Sequence, residues 1–457
     1  MDKRNFEQFK KMMRFLIVAL LIVATTLIFI YFWKGNYNGG IVFPFHFKGY
    51  WLMGAFYMFF FSLFVYIYGG TGYGYLKNTN IIFSQALALV CANILIYFET
   101  VLLTVHFVPI LPMIETTLLQ LVLVVVYSAC FCGLFKKMFP PHKITVLYEE
   151  HNPTSMLGKV QTRRDRYRIK DVYRVDRTWE ELCEIIDNSE AILIYDIHAE
   201  LRNKLVKYCY EKDVRLYITP KISDILVRSS ENIHLFDTPL LLSRNNGMSF
   251  EQKFFKRLMD IIVSVVVIIV TAPIMLIIAV AIKLYDRGPV FFKQKRCTLN
   301  GEVFEIHKFR SMIVDAEKEG LSIPASEKDP RITPIGTIIR ATRLDELPQI
   351  FDILIGKMSL VGPRPERIEH VEKYTNDIPE FAYRLKVKGG LTGYAQIFGK
   401  YNTTAYDKLK LDLMYIQNYS ILLDLKLILM TIKIIFMKES TEGFDEKQIT
   451  EIQSREK

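Results

Sequence analysis

Ile261-Ile-Val-Ser-Val-Val-Val-Ile-Ile-Val-Thr-Ala-Pro-Ile-Met-Leu-Ile-Ile-Ala-Val-Ala-Ile282 carries no charged residue. At ~1.5 Å per helical residue it would be about 33 Å long, enough to span hydrocarbon. Its flanks argue against a crossing. Lys253, Lys256 and Arg257 precede it, and Lys283, Arg287, Lys293, Lys295 and Arg296 follow it, so the preference of basic residues for the cytosolic side places both ends there. Pro273 removes a backbone hydrogen bond in mid-run and disfavours helical geometry at Ala272. The expected structure is a re-entrant membrane helix over 255–283 that enters, bends at Ala272-Pro273 and leaves by the same face.

Upstream, four further apolar segments lie near 15–33, 51–68, 81–107 and 116–135, each close to the ~20 residues a crossing needs. The first is too long for a signal peptide and lacks a small-residue cleavage site, so it reads as a retained anchor. Lys3, Arg4, Lys10, Lys11 and Arg14 precede the bundle and Lys136, Lys137 and Lys143 follow it, which puts both its ends in the cytosol. Gly69-Gly-Thr-Gly-Tyr-Gly74 joins two of these segments without a preceding strand and reads as a flexible turn. A last apolar stretch, 421–436, includes Asp424, Lys426 and Lys433. Those charges suit an interfacial position better than immersion.

Between 143 and 245 the pattern changes to short β-branched runs, Ile144-Thr-Val-Leu-Tyr148, Ala191-Ile-Leu-Ile-Tyr-Asp196 and Val214-Arg-Leu-Tyr-Ile218. An amphipathic stretch at 199–212 links the last two, giving a βαβ unit and a Rossmann-like domain. The first run is followed by Glu149-Glu-His-Asn-Pro-Thr-Ser-Met-Leu-Gly158, which lacks the glycines that let a backbone approach pyrophosphate. A regulatory or scaffolding role is expected for this domain rather than dinucleotide binding.

Composition fits a membrane protein with basic soluble parts: 51% hydrophobic residues and a net charge of +10. That charge suits anionic lipids and phosphate-bearing substrates. No basic stripe interleaved with aromatics appears, so no nucleic-acid partner is expected. The six cysteines contain no CxxC pair, so neither a zinc site nor a disulfide framework is signalled.

The chemistry concentrates between 329 and 366, in Asp329-Pro-Arg331, Arg340, Arg343-Leu-Asp-Glu-Leu-Pro-Gln349 and Met358-Ser-Leu-Val-Gly-Pro-Arg-Pro-Glu366. Arginine offers a planar fork to phosphate, Gly and Pro fix turns, and a carboxylate can bind a divalent cation or attack phosphorus. The neighbours Asp345 and Glu346 would point ~100° apart on a helix and could divide two tasks. Phosphate chemistry accounts for this mixture.

Six motifs in one order, Phe255-Lys-Arg-Leu-Met-Asp260, Gly288-Pro-Val-Phe-Phe292, Lys308-Phe-Arg-Ser-Met312, Leu344-Asp-Glu-Leu-Pro-Gln349, Leu360-Val-Gly-Pro-Arg-Pro365 and Gly390-Leu-Thr-Gly-Tyr-Ala-Gln396, resemble the monotopic phosphoglycosyl transferases, or bacterial sugar transferases. The resemblance extends to the long members that initiate exopolysaccharide, capsule or O-antigen units. It implies a polyprenyl-phosphate sugar-1-phosphate transferase of the bacterial cytoplasmic (inner) membrane, with its catalytic domain on the cytosolic face. The implied substrates are a UDP-sugar and undecaprenyl phosphate, with Mg²⁺ as cofactor, membrane lipids as surroundings and a homodimer as the assembly.

By position, the resemblance makes Asp345 the nucleophile that takes up the phosphosugar and Glu346 its acid/base or magnesium-positioning partner, both candidate metal ligands. It assigns Arg364 and Pro365 to the nucleotide, and Lys308 and Arg310 to basic positions near the active site. Arg340 and Arg343 are candidate phosphate contacts, and Pro273 is the re-entrant bend. Gly389 stands where members commonly have Pro, which should loosen that turn. The implied architecture is a membrane α-helical bundle (1–140), an α/β Rossmann-like domain (141–245), an α-rich (α+β) catalytic domain (250–440) with the re-entrant helix hairpin, and a polar tail (441–457). A catalytically silent membrane nucleotide sensor is the alternative, against which the intact acidic pair and the missing glycine fingerprint both count.

Overall fold

In a computed structural model of the chain the described residues are 3–243, 247–314, 329–400 and 403–435. The tail expected at 441–457 lies outside them. The fold divides into two compact units between Thr219 and Pro220.

The first unit begins with α1 (Lys3–Asn36), α2 (Phe47–Tyr68), α3 (Asn78–Thr104) and α4 (Leu111–Met138). Sequential neighbours touch, and α1 also touches α4, so the four close into a bundle. All four are long and apolar enough to cross a membrane. Leu20, Phe59, Leu102 and Val122 face outward while Leu21, Tyr57, Leu89 and Val124 are buried. The interior also holds polar side chains bonded across helices, as membrane bundles use them. The Gln120 amide donates to the Thr25 carbonyl at 2.9 Å and to the Tyr57 hydroxyl at 3.0 Å, and accepts from Asn93 at 2.9 Å. The glycine turn at 69–74 is held by specific contacts. The Gly70 N–H donates to Val65 at 2.8 Å, the Gly70 carbonyl accepts from Gln85 at 2.7 Å, and a Cβ on Gly74 would overlap the Phe135 ring.

There follow β1 (His142–Tyr148), α5 (Thr154–Gln161), β2 (Tyr167–Arg174), α6 (Trp179–Asp187), β3 (Ala191–Tyr195), α7 (Ala199–Glu211) and β4 (Arg215–Ile218). The strands form one parallel sheet in the order β2-β1-β3-β4. Alternation along β1 and β3 decides the layers, because successive side chains point to opposite faces. Ile144, Val146, Ala191 and Leu193 pack under α5, whereas Leu147, Ile192 and Ile194 pack under α6 and α7. A fully buried Ile or Leu contributes about 1.5–3 kcal/mol, so these two apolar layers fix the helices on opposite faces.

The second unit runs through α8 (Ile222–Arg228), β5 (Glu231–Leu235), β6 (Thr238–Leu242), α9 (Phe250–Asp286), β7 (Phe291–Cys297), β8 (Val303–Phe309), α10 (Pro334–Ala341), α11 (Gln349–Ile355), β9 (Ser359–Val361), α12 (Ile368–Asp377), β10 (Gly390–Thr392), α13 (Tyr394–Phe398), α14 (Ala405–Gln417) and α15 (Ile421–Ile435). The sequence grouped 220–245 with the parallel sheet, but Ile222 and Ile225 of α8 bury among Phe304, Ile353 and Leu413 of this unit. Those residues form one shared core, so α8 folds with the second unit. The hairpin β5–β6 is exposed along both strands.

The helix α9 starts with a capping box, Ser249 accepting from the Gln252 N–H and Gln252 from that of Ser249, which satisfies two otherwise orphaned donors. It is a fifth helix long and apolar enough to cross a membrane, and it stays helical through Pro273. Ile269, Val270, Leu276 and Ile277 are exposed. Both of its halves nonetheless pack on the same unit: Val263, Val267 and Ile268 against the core containing Ile353 and Leu360, and Met275, Ile278 and Ile282 against Phe309 and Ile339.

In α15 two of the three charged residues are turned inward. Asp424 is fully buried and Lys433 nearly so, with Asp424 paired to Lys256 of α9 at 2.6 Å.

Candidate active site

Leu344–Glu346 forms a 3-10 turn, entered through Arg343 at φ 56° and followed by Pro348 ahead of α11. At three residues per turn, neighbouring side chains diverge by about 120°, so Asp345 and Glu346 meet different surroundings. Glu346 Oε1 accepts from Lys308 Nζ at 2.7 Å and from Arg364 Nη2 at 2.8 Å. The Asp345 carboxylate takes part in neither bond.

That asymmetry sets the charges. Burial alone would raise Glu346, but Arg364 and Lys308 outweigh it and hold the carboxyl well below the usual range. Burial raises Asp345, and the Glu346 charge adds to it against the opposing pull of Lys308 and Arg340. Two adjacent carboxylates with opposed shifts are the usual signature of divided chemical roles.

Each partner of Glu346 is delivered by a separate element. Along β8, Phe304 and Ile306 are buried, and Lys308 continues the same face by the period of two. Its position is fixed one residue earlier, where the His307 backbone N–H and Nδ1 meet the two Asp352 oxygens at 2.9 and 2.7 Å. Asp352 belongs to α11, so the helix after the acidic pair and the strand carrying Lys308 are tied together.

Arg364 sits on the turn after β9. Here β9 runs parallel to β10, with the Gly362 N–H donating to Thr392 at 2.8 Å and the Gly390 N–H to Pro363 at 2.9 Å. A Cβ on Gly390 or Gly393 would overlap the Gly362 backbone, so this crossing admits glycine alone. The turn at Gly389 is pinned by contacts of its own. Its N–H donates to Thr298 Oγ1 at 3.0 Å, a bond proline cannot make, and an added Cβ would stand 2.7 Å from Pro365 Cγ. Arg384 donates to the Arg364 carbonyl at 2.9 Å and to Asp412 at 3.0 Å, bracing the turn from behind.

The remaining expected residues are spread around this centre. Arg340, near the end of α10, is close enough to act on Asp345 electrostatically. Arg343 is exposed at the entry to the 3-10 turn. Pro365 is buried, and its carbonyl accepts from Arg296 Nη1 at 3.3 Å. Arg310 is drawn to Asp286 at the end of α9, and its Nη1 is buried without a partner. A Cβ on Gly288 would overlap that guanidinium.

Three residues escaped the sequence reading. Arg296 projects from β7, its Nε buried without a partner, and burial with nearby Arg364 lowers it to about 10. Such a guanidinium, with donors to spare beside Arg364, suits a phosphate. Glu366 pairs with Lys408 and Arg384, which overcome its burial and lower it to about 2. Asp260 of α9 accepts from Ser359 Oγ at 2.8 Å and the Leu360 N–H at 3.0 Å, connecting the apolar helix to the strand that presents Arg364.

As a metal site the acidic pair offers Asp345 and the second oxygen of Glu346. Mg²⁺ suits such a place, since it keeps several waters and binds through one or two carboxylates plus substrate phosphates.

The fold, the acidic pair and its cations describe a phosphate-handling domain anchored by an apolar helix. The bacterial sugar transferase description matches residues 251–438. The chain is 44% identical over 205 residues to a UDP-glucose:undecaprenyl-phosphate glucose-1-phosphate transferase of Klebsiella pneumoniae, covering 44% of this chain and 42% of that protein. It is 43% identical over 185 residues to an Aeromonas hydrophila UDP-N-acetylgalactosamine-undecaprenyl-phosphate N-acetylgalactosaminephosphotransferase, covering 40% and 44%. A Caulobacter vibrioides UDP-glucose:undecaprenyl-phosphate glucose-1-phosphate transferase is 39% identical over 183 residues, 39% of this chain and 68% of that protein. The chain spans less than half the length of the first two relatives. It belongs to the bacterial sugar transferase family.

Proposed function

We propose that the chain is an initiating phosphoglycosyl transferase of the bacterial inner membrane. It moves a sugar 1-phosphate from a UDP-sugar to undecaprenyl phosphate through a phosphosugar on Asp345, releasing UMP, for surface polysaccharide synthesis. The observation that carries this reading is the division within the pair: Glu346 is held by Lys308 and Arg364, leaving Asp345 to react.

An Asp345 oxygen attacks the phosphorus that bears the sugar, the bond to the bridging oxygen breaks, and UMP leaves with the electron pair. A phosphate oxygen of the polyprenyl phosphate then attacks the same phosphorus, and Asp345 departs as a carboxylate. Throughout, Glu346 keeps the Lys308 and Arg364 cations aimed into the site, where fixed positive charge stabilises the developing charge on phosphoryl oxygens. Mg²⁺, held by Asp345 and Glu346, would neutralise diphosphate charge.

Purified protein given a UDP-sugar without lipid should release UMP in a burst approaching one equivalent and leave a phosphosugar on the Asp345 peptide. A panel of UDP-glucose, UDP-galactose and UDP-acetamido sugars would identify the donor. UMP release that requires the lipid, with no adduct in an active preparation, would refute the covalent route.

Both ends of α9 are proposed to lie on the cytosolic face. The support is that its two halves pack on one compact unit, whereas a crossing would separate its ends by ~30 Å of hydrocarbon. In a background without the native cysteines, Asn300→Cys should resist an impermeant thiol reagent applied to intact cells. Ready labelling from outside would mean a true crossing.

A further inference from the structure

The short helix α5 packs on Ile144 and Val146 but leaves the far end of the edge strand β2 open, where Val172 is 38% exposed. Between α5 and β2 runs a groove of about 1070 Å³, lined by Leu157, Val160, Ile169 and Val172, with Tyr148 and Tyr167 along it. It has the size of a small-molecule pocket. Among the described residues, its charged lining consists of Arg164 and Arg168 alone. The pairing of β2 keeps acid out. Ile144 stands opposite Ile169 but Thr145 opposite Asp171, so the register slips by one residue at Lys170. Side chains alternate between faces, and the slip therefore brings Val172 opposite Val146 on the groove side and turns Asp171 away with Thr145. An uninterrupted register would have set the Asp171 carboxylate in the groove. Such an extra residue is a common means of re-aiming a side chain beside a functional site.

The two groove arginines are also the ones that the fold does not use. Their neighbour Arg163 donates to Asp165 at 3.0 Å, and Arg166 lies over the rings of Tyr75 and Tyr167 at 4.3 and 4.8 Å. Among the described residues, neither Arg164 nor Arg168 has an ion-pair or hydrogen-bond partner. Tyr167 is set edge-on against Tyr217, with ring centroids 5.6 Å apart, so its ring is already oriented. Asn152 Oδ1 accepts from the Thr154 N–H at 3.0 Å, which leaves the Asn152 amide group to donate into the groove.

We propose that this groove binds a soluble nucleoside phosphate, its phosphate against the Arg164 and Arg168 forks and its ring among Tyr148, Ile169 and Val172, near the Asn152 amide. The order along the groove favours such a ligand over a lipid. Pro141, Tyr167 and Arg168 lie at the starts of β1 and β2, and Arg166 reaches Tyr75 in the turn between α2 and α3, so the basic end is the end next to the bundle. Tyr148 and Val172 lie about 20 Å further on, at ~3.3 Å per strand residue. A phospholipid would direct both its phosphate and its acyl chains toward the bundle and leave the apolar end empty. This site shares no residue with the acidic pair and does not rest on the reaction proposed there.

The full chain in detergent, carrying Arg364→Ala to weaken nucleotide binding at the acidic pair, is titrated calorimetrically with ADP, GDP, CDP and UDP. At least one should bind at one equivalent with a Kd below about 100 μM, and inorganic phosphate should bind about 10-fold or more weakly, since it cannot fill the apolar lining. Arg164→Glu combined with Arg168→Glu should weaken nucleotide binding by about 10-fold or more. Val172→Asp, which returns an acid to the groove face, should weaken it too and gives the comparison if the double variant misfolds. Binding of none of the four nucleotides, phosphate bound as tightly as the best of them, or unaltered affinity in the folded groove variants would each overturn the proposal. So would phosphatidylglycerol, retained through the two arginines, in place of any nucleotide.

Discussion

Asp345→Asn is expected to abolish the UMP burst and lower turnover by about 10³-fold or more, the scale of losing a covalent nucleophile. The amide keeps the volume of the side chain and leaves the Lys308–Glu346–Arg364 bonds in place, so the loss falls on chemistry rather than on folding. The pH dependence gives a second reading of the same residue. Asp345 is raised first by burial and then by the Glu346 charge, and a nucleophile must be ionised. The rate should therefore fall as pH drops through a limb lying above the range of a free aspartate, and a bound divalent cation should move that limb downward. Glu346, held low by Arg364 and Lys308, remains ionised there and adds no limb. Wild-type turnover in Asp345→Asn, or the same acid limb in its residual rate, would remove Asp345 from the mechanism.

How much of this was legible in the sequence follows from what each signal measures. The long apolar helices and the strands β1, β3 and β4 are legible because apolar and β-branched runs need no knowledge of partners. The strand β2 did not. It is an edge strand whose half-buried positions include Asp171 and whose exposed ones include Arg168, Lys170 and Arg174, so its alternation is diluted by charge. The spacing of Ile222 and Ile225 shows a buried face on α8 but not which core receives it. At the site, Asp345, Glu346, Lys308 and Arg364 stand out in the sequence because they lie within compact motifs. Arg296 was read as a topology-setting charge, and Asp260 as part of a helix motif. Their roles depend on contacts with Pro365 and Ser359, which sequence spacing does not encode. Lys308 and Arg310, two apart, are both expected at basic positions near the active site. The strand ends at Phe309, and Arg310 turns instead to Asp286.

The largest stability effect is expected from the pair that ties α9 to α15. Lys256 Nζ donates to Asp424 Oδ2 at 2.6 Å and to the Tyr415 hydroxyl at 3.1 Å, and that hydroxyl donates to Asp424 Oδ1 at 2.9 Å. Lys256 is 6% exposed and Asp424 0%, so neither ion has water to replace a lost partner. Asp424→Ala should cost about 3–5 kcal/mol, because it strands a buried ammonium. In a unit of this size that corresponds to a fall in melting temperature of roughly 10 °C. Lys256→Met with Asp424→Leu should recover most of the loss, since an apolar pair of similar volume carries no desolvation penalty. The activity of Asp424→Ala should fall with its stability, because Asp260, one helical turn beyond Lys256, holds the strand leading to Arg364. Thermal unfolding of the detergent-solubilised protein separates the cases. A single variant melting within about 1 °C of wild type, or a double variant no better than the single, would show that this buried pair does not hold α9 to α15.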